Sequence, residues 1–182
     1  MFICSRCREK RNAVAANDKP AEPILTLTRV FDAPPDVVFK AWYEPEHFKQ
    51  WFAPTAFTIP DCEIDLRAGG VLRFSMQSPQ WIEGRKIWSK GVFREVEVPK
   101  RTVSVVNFSD ENGEPVKPTH YGLSEDFPET MVMIVIFEPH EGGKKTKLTM
   151  SQSIPLSVAE RNGALIGWGQ TLDNLAAHLK KM

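Results

Sequence analysis

The sequence is short of cysteine, of net charge and of long apolar runs, and each shortage removes a class of protein. Its three cysteines, Cys4, Cys7 and Cys62, are an odd number and too few for a disulfide scaffold. They suit a reducing compartment, so a cytoplasmic location is expected. Twenty-three basic side chains cancel twenty-three acidic ones. With no long-range field to gather phosphates or anionic lipid, nucleic acid is not an expected partner. No apolar run approaches the roughly 18 residues of a membrane-spanning helix, and Met1-Phe2-Ile3 is too short an opening for a secretory signal. Neither membrane insertion nor export is expected.

Short chemical motifs are missing as well. There is no GxSxG elbow, HExxH pair, phosphate loop or dinucleotide fingerprint, so no cofactor is expected and no catalytic machinery is visible. Cys4 and Cys7 form half of a zinc-knuckle pattern, but no second CxxC or paired histidines complete four ligands. His47, His120, His140 and His178 share no motif, so no metal site is expected, and a surface position suits His140 and His178. Glu83 and Glu95 are the acids that strands could carry into a pocket, where desolvation would raise their pKa values and make them bases. Solvent-facing glutamates are the commoner arrangement.

What is present is a hydrophobic content of 42%, enough for one core but not for two in a chain of this length. Residues 1–22 lack hydrophobic periodicity, carry Arg6, Arg8, Lys10, Arg11 and Lys19, and read as a disordered tail before a domain over residues 23–182. Residues 24–31 form a first strand by their β-branched content. Pro34 or Asp32 then opens a short helix through Val38, Phe39, Ala41 and Trp42, and a second short helix follows from Pro45, with Phe48 and Trp51 three apart.

Six strand-like segments come next, at residues 57–66, 70–77, 87–98, 102–108, 130–138 and 146–154, joined locally and so expected to be antiparallel. Leu72, Phe74 and Met76 alternate with polar neighbours, as do Leu148 and Met150. Residues 131–137 are apolar on both parities, which suggests a strand buried on both sides or packed against a partner. Asp65 and Arg67, two apart, are expected to pair across a turn at Gly69-Gly70, and residues 110–129 form a turn-rich excursion. Finally, Leu165, Trp168, Leu172, Leu175 and Leu179 mark one helix of six or seven turns over residues 157–181, with Ser157 and Glu160 as a capping box.

Arg29-Val30-Phe31 with Pro34-Pro35, Val38-Phe39 with Ala41-Trp42, Pro45-Glu46 and Trp51-Phe52-Ala53-Pro54 together resemble a known group. It is the activator of heat-shock-protein-90 ATPase homologue family, within the START-like (SRPBCC) superfamily. The resemblance continues through residues 65–70, the strand around Gly91 ending at Glu95-Val96, residues 144–148, and Gly167-Trp168 with Leu172 and Leu175. Ala53 stands where the family commonly has glycine. The family implies an α+β helix-grip fold: a strand, two short helices, a curved antiparallel sheet of six or seven strands in all, and a long C-terminal helix in its concavity.

That fold implies an apolar pocket for a small hydrophobic molecule between sheet and helix. The expected wall is Trp51, Phe74, Met76, Trp88 and Phe93 from the first half of the chain, and Met133, Met150, Leu165, Trp168 and Leu172 from the second. Stiff aromatics and adaptable thioethers suit an apolar guest, although the same residues would serve as plain core. Gly167 and Gly169 flank Trp168 at a cost of about 1 kcal/mol each in a helix, which suggests a close approach of the backbone to sheet or ligand. The family's name implies a second role, a chaperone cofactor in the stress response with a protein partner, though residues 1–22 are too short for the N-terminal domain that eukaryotic co-chaperones add. The wider superfamily implies a third, an enzyme acting on a hydrophobic or polyketide-like metabolite. A homodimer through an exposed strand edge is a further possibility.

Overall fold

The structure is a computed structural model that describes residues 22–182. The tail expected over residues 1–22, with Cys4 and Cys7, lies outside the described residues apart from Glu22. The elements run β1 (Ile24–Phe31), α1 (Pro35–Tyr43), α2 (Pro45–Trp51), β2 (Cys62–Ile64), β3 (Val71–Gln77), β4 (Lys86–Glu97), β5 (Arg101–Ser109), β6 (Thr130–His140), β7 (Lys145–Pro155), α3 (Leu156–Arg161) and α4 (Ala164–Leu179). The seven strands form one sheet in the order β1-β7-β6-β5-β4-β3-β2, antiparallel throughout. Consecutive strands pair through local connections, and the first strand returns to the last, with Phe31 opposite Thr146. This is the helix-grip arrangement, with the helices against one face of a curved sheet.

Period-two alternation decides which face is covered. On β7, Thr146, Leu148, Met150, Gln152 and Ile154 are buried while Lys145, Lys147 and Thr149 point outward. On β6, Met131, Met133, Val135 and Phe137 are buried, but Val132, Ile134 and Ile136 are only partly covered. The double-sided burial expected for this strand is therefore corrected: its outer face is apolar because Val132 stands opposite Val105 and Ile134 opposite Val103, a cross-strand apolar stripe on the convex side.

Pro35 occupies the first turn of α1, where its missing N–H costs nothing. That helix buries Val38, Phe39, Ala41 and Trp42, and α2 buries Phe48 and Trp51. The turn before β3 follows the expected logic. Arg67 pairs with Asp65 at 2.9 Å, Gly69 has φ +81°, and a Cβ on Gly70 would lie 2.0 Å from the Asp65 carbonyl oxygen.

The C-terminal segment departs from the single helix expected over residues 157–181. It breaks after α3 at Asn162 and at Gly163, whose φ of +72° is left-handed, and restarts as α4. Nor is Ser157 a cap: α3 starts behind Pro155 with no side-chain cap, and the Ser157 hydroxyl bonds the Glu22 carboxylate instead. No helix among the described residues is long and apolar enough to cross a membrane.

Candidate functional site

Two apolar clusters fill the space between sheet and helices. One surrounds α1, α2 and the C-terminal half of α4, with Trp42, Trp51, Phe137, Leu148, Leu172 and Leu175 at its centre. The other lies toward α3 and the excursion after β5, with Leu25, Phe108, Tyr121, Phe127, Ile154 and Val158. Phe57, Met76 and Trp168 pack against both, and between the clusters is a cavity of about 400 Å³.

The space exists because the stripe of α4 that covers it is mostly small: Ala164, Gly167 and Thr171 line it alongside Trp168. Those positions fall at i, i+3, i+4 and i+7, one helical face. The floor is a transverse row of inward residues, Phe93, Ser104, Met133 and Gln152, matched in register across β4, β5, β6 and β7. Thr55, Trp81, Gly163 and Ile166 line the cavity yet are exposed, Ile166 by 67%, so they mark its mouth. The excursion contributes Tyr121, Leu123 and Phe127 to the wall, and Asn162 at the helix break holds Ser124 through two hydrogen bonds of 2.8 and 2.9 Å.

Among the described residues no Asp, Glu, Lys, Arg or His lines the cavity. Glu95 is exposed and ion-paired with Arg101, and Glu83 is exposed in the turn before β4, so neither enters the cavity as a base.

Over residues 32–180 the sequence matches the family described as Activator of Hsp90 ATPase homolog 1-like protein. The chain belongs to that family. A protein of Nitrosomonas europaea with a solved structure is 31% identical, over 88% of this chain and 96% of the other, with a TM-score of 0.67. A protein of Chromobacterium violaceum is 26% identical over 85% of this chain and 95% of the other, also at 0.67. The AHSA1 protein of Silicibacter pomeroyi, 20% identical over 87% and 98% with a TM-score of 0.64, shares the fold. No curated protein matches the chain.

Within this AHSA1-like fold the ten residues expected on the wall divide evenly. Phe74, Met76, Phe93, Met133 and Trp168 line the cavity. Trp51 and Met150 do not: both are fully enclosed in the first cluster, and the Trp51 indole donates to the Ala41 carbonyl at 2.8 Å. Trp88 is on the convex face, with the Arg73 guanidinium 4.1 Å from its ring centroid. Leu165 and Leu172 belong to the stripe of α4 beside the lining one, Leu172 within the first cluster and Leu165 against the second.

The residues that sequence reasoning missed include large apolar ones such as Phe52, Phe108 and Phe127, and small or polar ones: Ala164 and Thr171 on the helix, Ser89, Ser104 and Gln152 on the strands. Parity pointed to Gln152, two residues from Met150 on one strand, whereas no residue of the strand carrying Ser104 had an assigned face. Tyr43 also lines the cavity, bonded to the Thr102 hydroxyl, and burial pushes its phenol well above the ordinary range against the pull of that bond. Cys62, outside the lining, has its thiol pushed up to about 11 by burial, with Lys49 opposing, which keeps it protonated and unreactive at neutral pH.

Proposed function

We propose that this protein binds a small hydrophobic molecule in the cavity between the sheet and α4. One observation carries the proposal: the molecule keeps about 400 Å³ of space inside an aromatic wall, with an exposed mouth. That volume lies within the usual range for small-molecule sites, and apolar walls reward an apolar guest. Leaving such space unfilled forgoes dispersion contacts, a cost that a ligand would offset.

Native mass spectrometry before and after organic extraction tests this. A co-purified apolar compound, lost in Trp168→Ala, is the expected result. A ligand-free protein that also takes up no Nile red, an uncharged apolar dye, overturns it and leaves the chaperone-cofactor role, with a protein partner, to pursue.

A further inference from the structure

The floor of the cavity carries an amide NH₂ that bonds no described residue. Gln152 is only 9% exposed and lies in the floor. Its side-chain oxygen accepts the Trp168 indole N–H at 2.9 Å. An indole N–H only donates, so the Gln152 atom facing it must be the oxygen. The amide orientation is thereby fixed, and among the described residues its NH₂ group has no partner. The buried and unpaired side-chain atoms among the described residues are Arg73 Nε and Ser109 Oγ, so the Gln152 NH₂ keeps access to the cavity space, where a guest can accept from it.

Among the other polar residues of the lining are two serines, Ser104 and Ser89. Ser104 stands in the same transverse row as Gln152, separated from it by Met133 and so by two strand spacings of roughly 4.8 Å each. Ser89 lies four residues before Phe93 on β4, two inward positions from that row, opposite Phe108. Both are 4% exposed, and neither hydroxyl bonds another described residue. All three groups are neutral, and no charged side chain lines the space. An ionic guest would be stripped of water there without a counter-charge, at a cost of several kcal/mol.

We propose that Gln152 is the polar anchor of the cavity, its amide NH₂ donating to the carbonyl oxygen of an uncharged, otherwise apolar ligand. Trp168 is a positioning residue in this arrangement, since its N–H holds the amide in the donating orientation. The proposal rests on the reading of the cavity as a ligand site and narrows it to neutral carbonyl compounds.

Three matched probes test it by calorimetric titration: 2-acetonaphthone, its hydrocarbon counterpart 2-ethylnaphthalene, and the anion 2-naphthoate. The quantity read is the ratio of ketone to hydrocarbon affinity, which removes their different hydrophobicities. In Gln152→Met, of similar length, that ratio is expected to fall about fivefold, as one hydrogen bond is worth, while hydrocarbon affinity is retained. A second measurement needs no variant: the Gln152 side-chain amide resonances of the wild-type protein shift downfield with the ketone and not with the hydrocarbon. An unchanged ratio and unmoved resonances overturn the anchor while leaving the cavity as a site. Naphthoate binding as tight as the ketone overturns the requirement for neutrality. If the wild-type protein binds none of the three, the cavity reading itself fails.

Discussion

The two ends of the interior are built from similar residues to opposite effect. Around α1 and α2 the aromatics close on one another: Phe48 and Phe52 stack at 4.0 Å between centroids, Trp42 meets Trp51 at 4.9 Å, and Phe39 meets Phe137 at 5.1 Å. Toward α3, Phe108 lies 5.8 Å from Tyr121 and 6.0 Å from Phe127, and these rings border the cavity from that side while Trp42, Phe48 and Phe52 border it from the other. The difference lies in what faces the rings. Large side chains of α1, α2 and the last turns of α4 face the closed end, whereas Ala164, Gly167 and Thr171 face the open one. Hydrophobic content alone does not make a cavity; the placement of small residues opposite large ones does.

The largest effect should come from the closed end. Trp51→Ala removes a side chain that is 1% exposed and leaves the Ala41 carbonyl without its indole donor. A loss of about 3–5 kcal/mol is expected by denaturant titration. A loss under about 1 kcal/mol would show that this end is as loosely filled as the other and break the contrast. The open end should respond with the opposite sign. Ser104→Val fills part of the space and removes a hydroxyl without a partner, so stability should rise by about 1 kcal/mol. The same change should weaken 2-acetonaphthone binding about tenfold. If Ser104→Val destabilises, the floor is already packed and the two ends are alike.

The sequence shows the succession of strands and the first two helices, because β-branched alternation and proline stops act locally, although the segment expected over residues 57–66 is a strand only at Cys62–Ile64. It shows the cavity lining less completely, for a geometrical reason. Spacing tells which face a residue takes but not which end of the interior it reaches, so Met150 and Met133, both inward, could not be told apart. Trp88 was separable: it is five residues from Phe93 on one strand, and an odd separation in a regular strand puts two residues on opposite faces. The apolar outer residues of β6 hid its parity, since a convex stripe shared with Val103 and Val105 looks like burial on both sides. The break at Asn162-Gly163 carried its own signal, a helix-terminating pair, but leucine spacing continued past it and drew the helix through.

A smaller effect sharpens the role of α4. A Cβ on Gly167 would make ordinary contact with Pro54 at 3.8 Å, and one on Gly169 would meet nothing within 4 Å. Neither glycine is therefore required by a close approach of the backbone. Gly167→Ala and Gly169→Ala should each stabilise by about 0.5–1 kcal/mol through helix propensity. Only the first lies in the cavity lining, so only Gly167→Ala should reduce ligand affinity. Equal binding effects from both would argue that the helix matters through its flexibility and not through the space it leaves.

The smallest expected effect is a pH dependence at the closed end. The His47 Nδ1 and His178 Nε2 atoms lie 3.1 Å apart, joining α2 to α4, with Glu44 3.7 Å from the other side of His47. Burial, then the nearby His47 and Lys181, hold the His178 pKa below its ordinary value. The native state therefore binds fewer protons than the unfolded chain between that lowered value and the unfolded pKa of about 6.5. Stability from this group is complete above about pH 6.5 and falls as the pH drops through that window. His178→Gln keeps a polar side chain but cannot titrate, so melting temperatures followed from pH 7.5 down to 5.5 should fall more steeply in the wild-type protein than in the variant. Parallel curves would mean that the histidine pair does not couple the two helices, and that the closed end is held by its aromatic packing alone.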